Sequence, residues 1–376
     1  MDDLFLWRLA ECGRIMRHDM VNDFDVLLLM SPPGMSYFTG NDRPWSYVMV
    51  TRFGAAGIGV PETDLAEVTA SSTFDHIKSF VDREGMLRTM SEYYEFFKAG
   101  SGSLGLEFAR ITPVVKEVLT APGVLPPGME VRDCSPLVYR LRSVKDAAEM
   151  KLIREAAAVA GTGMAAAAAA IEPGVTESQV AAQAELAMEE SGAEGFLQVQ
   201  VVSGPRTQFA LGRPTARVLQ DGDLVTVCLY PSVGSYSAGI CRTFCLGSPL
   251  AEQARAHDAY LKAQKEAIAA AIAGATAGGL DRRFYESLRS GAPSLLSFGP
   301  AVHGVGLETV EAPVAGAHSL FDAPGSAEPF KPNTVLVLGG CGLYAGQWGL
   351  RIEDTVAVAE GEPELLTGYP YSLKLG

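Results

Sequence analysis

The residues of this sequence best suited to chemistry are one histidine, one glutamate and two arginines in its C-terminal half. His303 carries an imidazole that titrates near neutral pH and can exchange a proton with a substrate. Glu353 can orient that imidazole or bind a cationic substrate, and Arg242 and Arg351 can each hold a carboxylate through paired hydrogen bonds. The alternatives are structural: a histidine hydrogen-bonded within a glycine-rich strand, a glutamate paired with one of the arginines, and arginines that support neighbouring strands.

Cysteines and further carboxylates accompany these four residues. Cys228, Cys241 and Cys341 can supply a thiolate nucleophile or a soft metal site, or they can be small buried hydrophobic residues. Glu308 and Glu311 lie on a segment whose side chains should alternate inward and outward, so we expect one of them to face a pocket.

The N-terminal part alternates apolar strand-like runs with helical ones. Residues 25–30 and 47–50 are typical of buried strands, and a turn is predicted at residues 31–34. This pattern indicates a small α/β domain. Its end is predicted at the basic, polar segment of residues 140–145, which gives domains at 1–143 and 144–376.

The C-terminal part begins with helices and continues with strands. After Asp146 a long alanine-rich helix is predicted to run to Ala170, and Thr176 is a suitable N-cap for a second helix. Strands are predicted at residues 199–202 and 224–229, a helical region at 251–277, and strands again toward the C-terminus. This order indicates an α+β domain whose helices cover one face of a curved sheet.

Length and charge limit the classes of function. The chain of 376 residues is long enough for two cores. Its formal net charge of −14 argues against nucleic acid and anionic membranes as partners. No apolar run approaches the length of a membrane span, the acidic start Met1-Asp2-Asp3-Leu4 lacks a secretory signal, and the six cysteines form no dense framework. We expect a cytoplasmic protein.

Five sequence features occur in an order that is specific when taken together. They are Leu141–Asp146 with Glu149, residues 171–177 around Pro173-Gly174, the segments at 202–205, 222–225 and 241–244, His303–Glu308, and Leu350–Thr355. This order resembles the creatinase / aminopeptidase P / prolidase family (peptidase M24). The resemblance implies a C-terminal pita-bread fold, a smaller N-terminal creatinase-like α/β domain, and a homodimer.

The resemblance also implies where two divalent metal ions would bind. Family members use two aspartates, a histidine and two glutamates, because hard cations prefer carboxylate oxygens. The corresponding positions are Cys228, Gly239, His303, Gly340 or its neighbour Gly339, and Glu353. Since His303 and Glu353 alone keep the family's ligands, we expect no bound metal and no other cofactor.

The positions of the family's two substrate-positioning histidines are Leu211 and Val310. Local similarity to the metal-free creatinase branch is found in Tyr230-Pro231 and in the ending 367–371. We therefore expect a creatinase-like, metal-independent hydrolase that cleaves a C–N bond of a small polar metabolite. His303 and Glu353 would be catalytic.

The resemblance and the residue types suggest further substrate contacts. Arg242, Arg351, Tyr230, Cys228 and Glu308 would bind the small-molecule substrate from the C-terminal domain. In the N-terminal domain, Arg43 and Trp45 lie on a loop that, in the creatinase branch, reaches the partner subunit's active site, where they would cap the substrate.

Three other functions remain open at this level. One is a non-catalytic binding or scaffold protein with this fold, which the many replaced ligand positions favour. The others are a metal-free lyase or decarboxylase and a residual Xaa-Pro peptidase. The identity of the substrate does not follow from the sequence.

Overall fold

The structure, a computed structural model, describes residues 2–99, 102–121, 123–209, 211–292, 296–315, 327–339, 342–344 and 346–375. The chain divides into two compact units, Met1–Leu141 and Arg142–Gly376. Among the described residues, none of the helices combines the length and the apolar composition needed to cross a bilayer.

A six-stranded mixed sheet forms the centre of the first unit, in the order β4-β3-β2-β1-β5-β6. Its strands are β1 (Val26–Leu29), β2 (Tyr47–Thr51), β3 (Ala56–Pro61), β4 (Ile77–Phe80), β5 (Gly102–Leu106) and β6 (Met129–Asp133). The neighbours β1 and β2 pair antiparallel, whereas β1 and β5 pair parallel. All four residues of β1 are buried, as expected for a strand covered on both faces.

In the part of the chain that the structure describes, six α-helices accompany this sheet. They are α1 (Asp2–His18), α2 (Pro32–Thr39), α3 (Leu65–Ser71), α4 (Arg83–Phe96), α5 (Pro113–Leu119) and α6 (Ser135–Ser143). The turn predicted at residues 31–34 is instead the start of α2. The Ser31 side chain accepts a hydrogen bond from the Gly34 amide, and proline occupies the first helical turn, where its missing N–H costs nothing.

The second unit begins with two helices that start at capping boxes. In α7 (Ala147–Ala170) the N-cap is Asp146 and its reciprocal partner is Glu149. In α8 (Glu177–Glu190) the predicted N-cap Thr176 is confirmed, with Gln179 as its partner. The predicted alanine-rich helix is confirmed as well. The helical region predicted at 251–277 consists of two helices, α9 (Ala251–Ala269) and α10 (Ala277–Gly291).

Three antiparallel sheets complete the second unit. The first has the order β10-β8-β7, with β9 paired to β8; the second has the order β13-β12-β14-β17-β18; the third has the order β11-β15-β16. Their strands are β7 (Gly195–Ser203), β8 (Leu224–Val233), β9 (Tyr236–Ser237), β10 (Ile240–Cys245), β11 (Leu296–Phe298), β12 (Val302–Gly304), β13 (Glu311–Ala315), β14 (Val335–Leu338), β15 (Gly342–Tyr344), β16 (Gly349–Leu350), β17 (Asp354–Ala357) and β18 (Glu364–Leu365).

Each of the two larger sheets has a helix pair on one face. Side chains of α7 and α8 pack with Val201, Val227 and Leu229 of the first sheet. Side chains of α9 and α10 pack with Leu336 and Val356 of the second sheet. This arrangement leaves the other face of each sheet for polar residues, because successive side chains of a strand point to opposite faces.

Candidate functional site

A row of four residues crosses one face of the β10-β8-β7 sheet in the second unit, the face that α7 and α8 do not cover. Gln200 lies opposite Cys228, Cys228 lies opposite Cys241, and Cys241 forms an isolated bridge with Glu353. The bridge consists of two backbone hydrogen bonds, of 3.1 Å from the Cys241 amide and 3.0 Å from the Glu353 amide. It joins β10 to the segment that leads into β17, and so places Glu353 on this face.

The Glu353 carboxylate is fully buried and has three described partners. Tyr230 donates a hydrogen bond of 2.9 Å to its Oε2, and the Cys228 thiol lies 3.5 Å from the same oxygen. Arg351 forms an ion pair with its Oε1. We call Glu353, Arg351, Tyr230 and Cys228 the Glu353 cluster.

The thiol and the phenol of this cluster are held protonated. Burial raises the pKa of Cys228 well above its usual range, and the hydrogen bond with Cys241 raises it further. Burial also raises the pKa of Tyr230, and the Glu353 carboxylate adds to the effect. Both groups therefore act as hydrogen-bond donors toward the carboxylate, and Cys228 is not a ready nucleophile.

His303 lies in β12, opposite Val337 of β14, which in turn lies opposite Thr355. Because Thr355 follows Glu353 by two residues, the histidine points to the same face as the carboxylate. Burial lowers the pKa of His303, against an opposing effect of Glu353. Its Nδ1 is 3.0 Å from the Gly304 carbonyl oxygen, which can only accept, so Nδ1 carries the proton and Nε2 of the neutral ring is left as an acceptor.

The two arginines predicted as substrate anchors lie on opposite faces. Arg242 follows Cys241 and points to the other side of β10. Its guanidinium donates to the carbonyl oxygens of Cys241, Glu353 and Tyr369 and to the Asp354 carboxylate. The guanidinium of Arg242 is therefore occupied on the face opposite to the Cys241 side chain. Arg351, in contrast, pairs with the Glu353 carboxylate.

Glu308 belongs to a second buried group of charges in the same unit. Its carboxylate accepts a hydrogen bond of 2.8 Å from Arg142. Arg142 also pairs with Glu311, and Lys145 donates to Glu311 over 2.7 Å. Burial alone would raise the pKa of Glu311, but Lys145 and Arg142 more than offset this effect and lower it. We call these four residues the Glu311 cluster.

Arg43 and Trp45 lie in the first unit. Arg43 forms an ion pair with Glu67, which leaves a partly exposed guanidinium. Trp45 is 79% exposed and adopts a left-handed backbone conformation with φ of 64°. Among the predicted positions of the second unit, Leu211 and Val310 are exposed, and Gly340 and Cys341 lie outside the described residues.

The sequence analysis did not identify two glutamines, Gln198 and Gln200, that lie on the same face of the sheet as Cys228. Gln198 donates to the Cys228 thiol over 3.7 Å, and Gln200 donates to the Phe209 carbonyl oxygen over 3.2 Å. Counting every second residue along β7 and β8 identifies these glutamines as neighbours of Cys228 on that face, but this requires the register of the two strands.

The described residues do not fit a site for two divalent ions. Among them, no group of three or more histidine, cysteine, aspartate or glutamate side chains is placed to hold a metal. A Cβ at Gly239 would lie 2.2 Å from the ring of Tyr230, and a Cβ at Gly339 would lie 2.2 Å from the Ile352 carbonyl oxygen, so neither position has room for a carboxylate. The cation in contact with Glu353 among the described residues is Arg351.

Comparison with known proteins identifies relatives for both units. The model of metallopeptidase family M24 matches residues 151–360, and the model of the creatinase/prolidase N-terminal domain matches residues 8–144. The Xaa-Pro dipeptidase of Pyrococcus furiosus is 28% identical over 351 residues, which cover 92% of this chain and 94% of the relative.

Solved structures agree with these matches. The prolidase of Pyrococcus horikoshii superimposes with a TM-score of 0.82 at 25% identity, and covers 98% of this chain and 99% of its own. The Xaa-Pro dipeptidase of Bacillus anthracis, at 22% identity, has the same fold with a TM-score of 0.84. The predicted α+β pita-bread fold behind a creatinase-like N-terminal domain is thus confirmed.

One prediction is wrong. We expected a creatinase-like, metal-independent hydrolase of a small polar metabolite, but the relatives are Xaa-Pro dipeptidases and the matching family is one of metallopeptidases. The expected placement in a metal-free creatinase branch is not supported either. The similarities to creatinase at Tyr230-Pro231 and at the C-terminal end are short and local, whereas the match to the dipeptidases extends over nearly the whole chain.

The broader expectation of a hydrolase that cleaves C–N bonds is confirmed at the level of the family, because a peptidase cleaves a peptide C–N bond. The M24 model covers more than half of the sequence, and the solved relatives share the fold of both units. This chain therefore belongs to metallopeptidase family M24 and carries the creatinase/prolidase N-terminal domain ahead of its peptidase domain.

Proposed function

We propose that this chain hydrolyses short peptides of the Xaa-Pro type. The observation that supports this most is the similarity to an Xaa-Pro dipeptidase over 92% of the chain and 94% of the relative. The site adds a second argument. His303 and Glu353, the two positions at which the family's ligand types are kept, lie on one face of the second unit.

The chain's own residues supply specific groups for this reaction. His303 presents Nε2 as a proton acceptor, because its Nδ1 is engaged by the Gly304 carbonyl oxygen. Arg351 and Tyr230 keep the Glu353 carboxylate in a fixed position. In this proposal Nε2 of His303 accepts the proton that is transferred during hydrolysis. The charges of Glu353 and Arg351 provide the electric field around the site.

The test is release of proline from dipeptides such as Leu-Pro and Ala-Pro by the purified full-length chain. Assays are run after chelation and again with added Mn²⁺, Co²⁺ or Zn²⁺. We expect proline release, and a loss of about 100-fold or more in kcat for His303→Gln, since a positioned acid or base contributes at least that much. The exposed His18 provides the matched control His18→Gln, which should keep full activity. Folded protein without proline release under any of these conditions would contradict the proposal.

One observation favours a second candidate, a member of the family that binds short peptides without cleaving them. Tyr230 occupies the space in which a side chain at position 239 would have to lie, and Arg351 pairs with Glu353. A site of this kind can retain a ligand pocket after losing its catalytic groups. Calorimetric binding of Xaa-Pro dipeptides without turnover would support this candidate over the first.

The predicted homodimer stays a prediction. Light scattering coupled to size exclusion measures it directly, and a mass near 40 kDa, that of the single chain, would contradict it.

A further inference from the structure

A cleft of about 600 Å³ lies along the edge of the first sheet in the second unit. Strand β7 forms one wall with residues that include Phe196, Gln198 and Val199. Glu185 of α8 and the segment around Leu211 and Arg213 form the others. This volume is within the range of small-ligand pockets, and it is lined by apolar side chains together with a few polar groups, as such pockets usually are.

The exposed backbone of β7 in this cleft is short. Within the described part of the sheet, β7 pairs with β8 alone. The Ser203 amide donates to Glu177 over 2.8 Å, away from β8, so the amides of Val201 and Val199 point the same way. Val201 is fully buried, whereas Val199 is half-buried and lines the cleft. The edge therefore offers the main-chain groups of about one residue, which suits a short extended peptide.

Two opposite charges border the cleft. Glu185 is half-buried and Arg213 is exposed, and among the described residues neither side chain has an ion-pair or hydrogen-bond partner. A free short peptide carries an ammonium at one end and a carboxylate at the other. The planar guanidinium of Arg213 can take the carboxylate through two parallel hydrogen bonds, and Glu185 can take the ammonium.

The cleft is connected to the Glu353 cluster through one side chain. Gln198 lines the cleft and also donates to the Cys228 thiol over 3.7 Å. Cys228 in turn lies 3.5 Å from the Glu353 carboxylate. A peptide in the cleft would therefore lie two side-chain contacts away from Glu353.

We propose that this cleft binds short zwitterionic peptides, with Arg213 holding the C-terminal carboxylate and Glu185 the N-terminal ammonium. The proposal rests on the proposed function for its class of ligand. It assigns end recognition to two residues that are not among the positions predicted from the sequence.

The test is calorimetric titration of the full-length chain with an uncleavable analogue of Leu-Pro, in which a carbon atom replaces the proline nitrogen so that the peptide linkage becomes an uncharged ketone. Three forms are used: with both ends free, with the N-terminus acetylated, and with the C-terminus amidated. We expect Arg213→Gln to weaken binding of the free form about three- to tenfold, as for a partly exposed ion pair, and to leave the amidated form unchanged. Glu185→Gln should weaken the free form and leave the acetylated form unchanged.

Matched controls use exposed residues elsewhere in the unit. Glu189 lies one turn further along α8 and Arg282 lies on α10, and both are exposed. Glu189→Gln and Arg282→Gln should bind all three forms like the unchanged protein.

The outcomes separate this inference from the proposed function. Binding that depends on the charged ends of the analogue, without proline release from dipeptides, supports peptide binding in the cleft and contradicts the proposed hydrolysis. Proline release with no effect of either cleft variant on analogue binding contradicts the cleft and leaves hydrolysis standing. Absence of binding to any form contradicts the cleft, whether or not proline is released.

Discussion

The Glu311 cluster and the Glu353 cluster, both in the second unit, balance their buried carboxylates in different ways. In the Glu311 cluster, two carboxylates face two cations, Arg142 and Lys145, which are almost fully buried. In the Glu353 cluster, one carboxylate faces Arg351, the one cation in ion-pair contact with it among the described residues. Removing a partner should therefore be more damaging in the Glu353 cluster.

The largest expected effect is that of Arg351→Ala. This change leaves the buried Glu353 carboxylate without its described cation, and we expect a loss of about 3–5 kcal/mol in the free energy of unfolding, measured by urea titration. The double variant with Glu353→Gln should recover much of the loss. The control Arg154→Ala breaks an exposed pair with Glu364 and should cost less than about 1 kcal/mol. Equal losses for Arg351→Ala and Arg154→Ala would contradict the claim that burial makes the loss of the Glu353 partner costly.

A smaller effect is expected for Lys145→Met in the Glu311 cluster. Glu311 keeps its pairing with Arg142, so we expect a loss of about 1–3 kcal/mol in the same urea measurement. The control is Lys151→Met, which removes an exposed lysine on α7 that lies 3.9 Å from Glu155. A loss of unfolding free energy as large as that of Arg351→Ala would show that Arg142 does not compensate for the removal of Lys145.

Gly239→Ala tests the packing of the Glu353 cluster. The new Cβ would lie 2.2 Å from the ring of Tyr230, which must then move away from Glu353, and we expect a loss of about 1–3 kcal/mol. The control Gly278→Ala adds a Cβ that meets nothing within 4 Å and should be neutral or stabilising. If Gly239→Ala is also neutral, the Tyr230 ring does not occupy the space next to position 239.

The smallest expected effect is a change in the pH dependence of stability that involves Glu311. Its pKa is lowered on folding from the ordinary value of 4.5, so its stabilising contribution is present above pH 4.5 and is lost as the pH falls through the folded-state pKa. Glu311→Gln should therefore reduce the slope of stability against pH below about 4.5, by up to ~1.4 kcal/mol per pH unit. The exposed Glu362→Gln should leave the slope unchanged. An unaltered slope in Glu311→Gln would mean that its pairing is not formed.

Local sequence signals predicted much of the fold but less of the site. The capping residue Thr176 and the alanine-rich helix depend on neighbours within a few positions, and both predictions are confirmed. The sequence does not decide whether Arg242 or Arg351 is the partner of Glu353, because that choice depends on which face of the sheet each arginine occupies. The bridge between Cys241 and Glu353 sets those faces, and it joins segments that are distant in the chain. The limit is therefore the long-range strand register.

The expected creatinase-like function is wrong for a related reason. Short local similarities around Tyr230 favoured the creatinase branch, whereas the similarity to dipeptidases is spread over both units. The space available at Gly239 and Gly339 is a further feature that depends on packing between distant segments, which the sequence does not reveal.

The contact between Cys228 and Glu353 has a consequence for the order in which the protein folds. The two residues are 125 positions apart in the chain. Contacts of such high sequence separation carry a large loop-closure cost and tend to form late. During synthesis, strands β7 to β10 leave the ribosome before Glu353, so Cys228 and Tyr230 are synthesised well before the carboxylate that accepts their hydrogen bonds. A chain that stops before residue 351 would lack Arg351 and Glu353, and Tyr230 and Cys228 would then have no carboxylate at this position to bond.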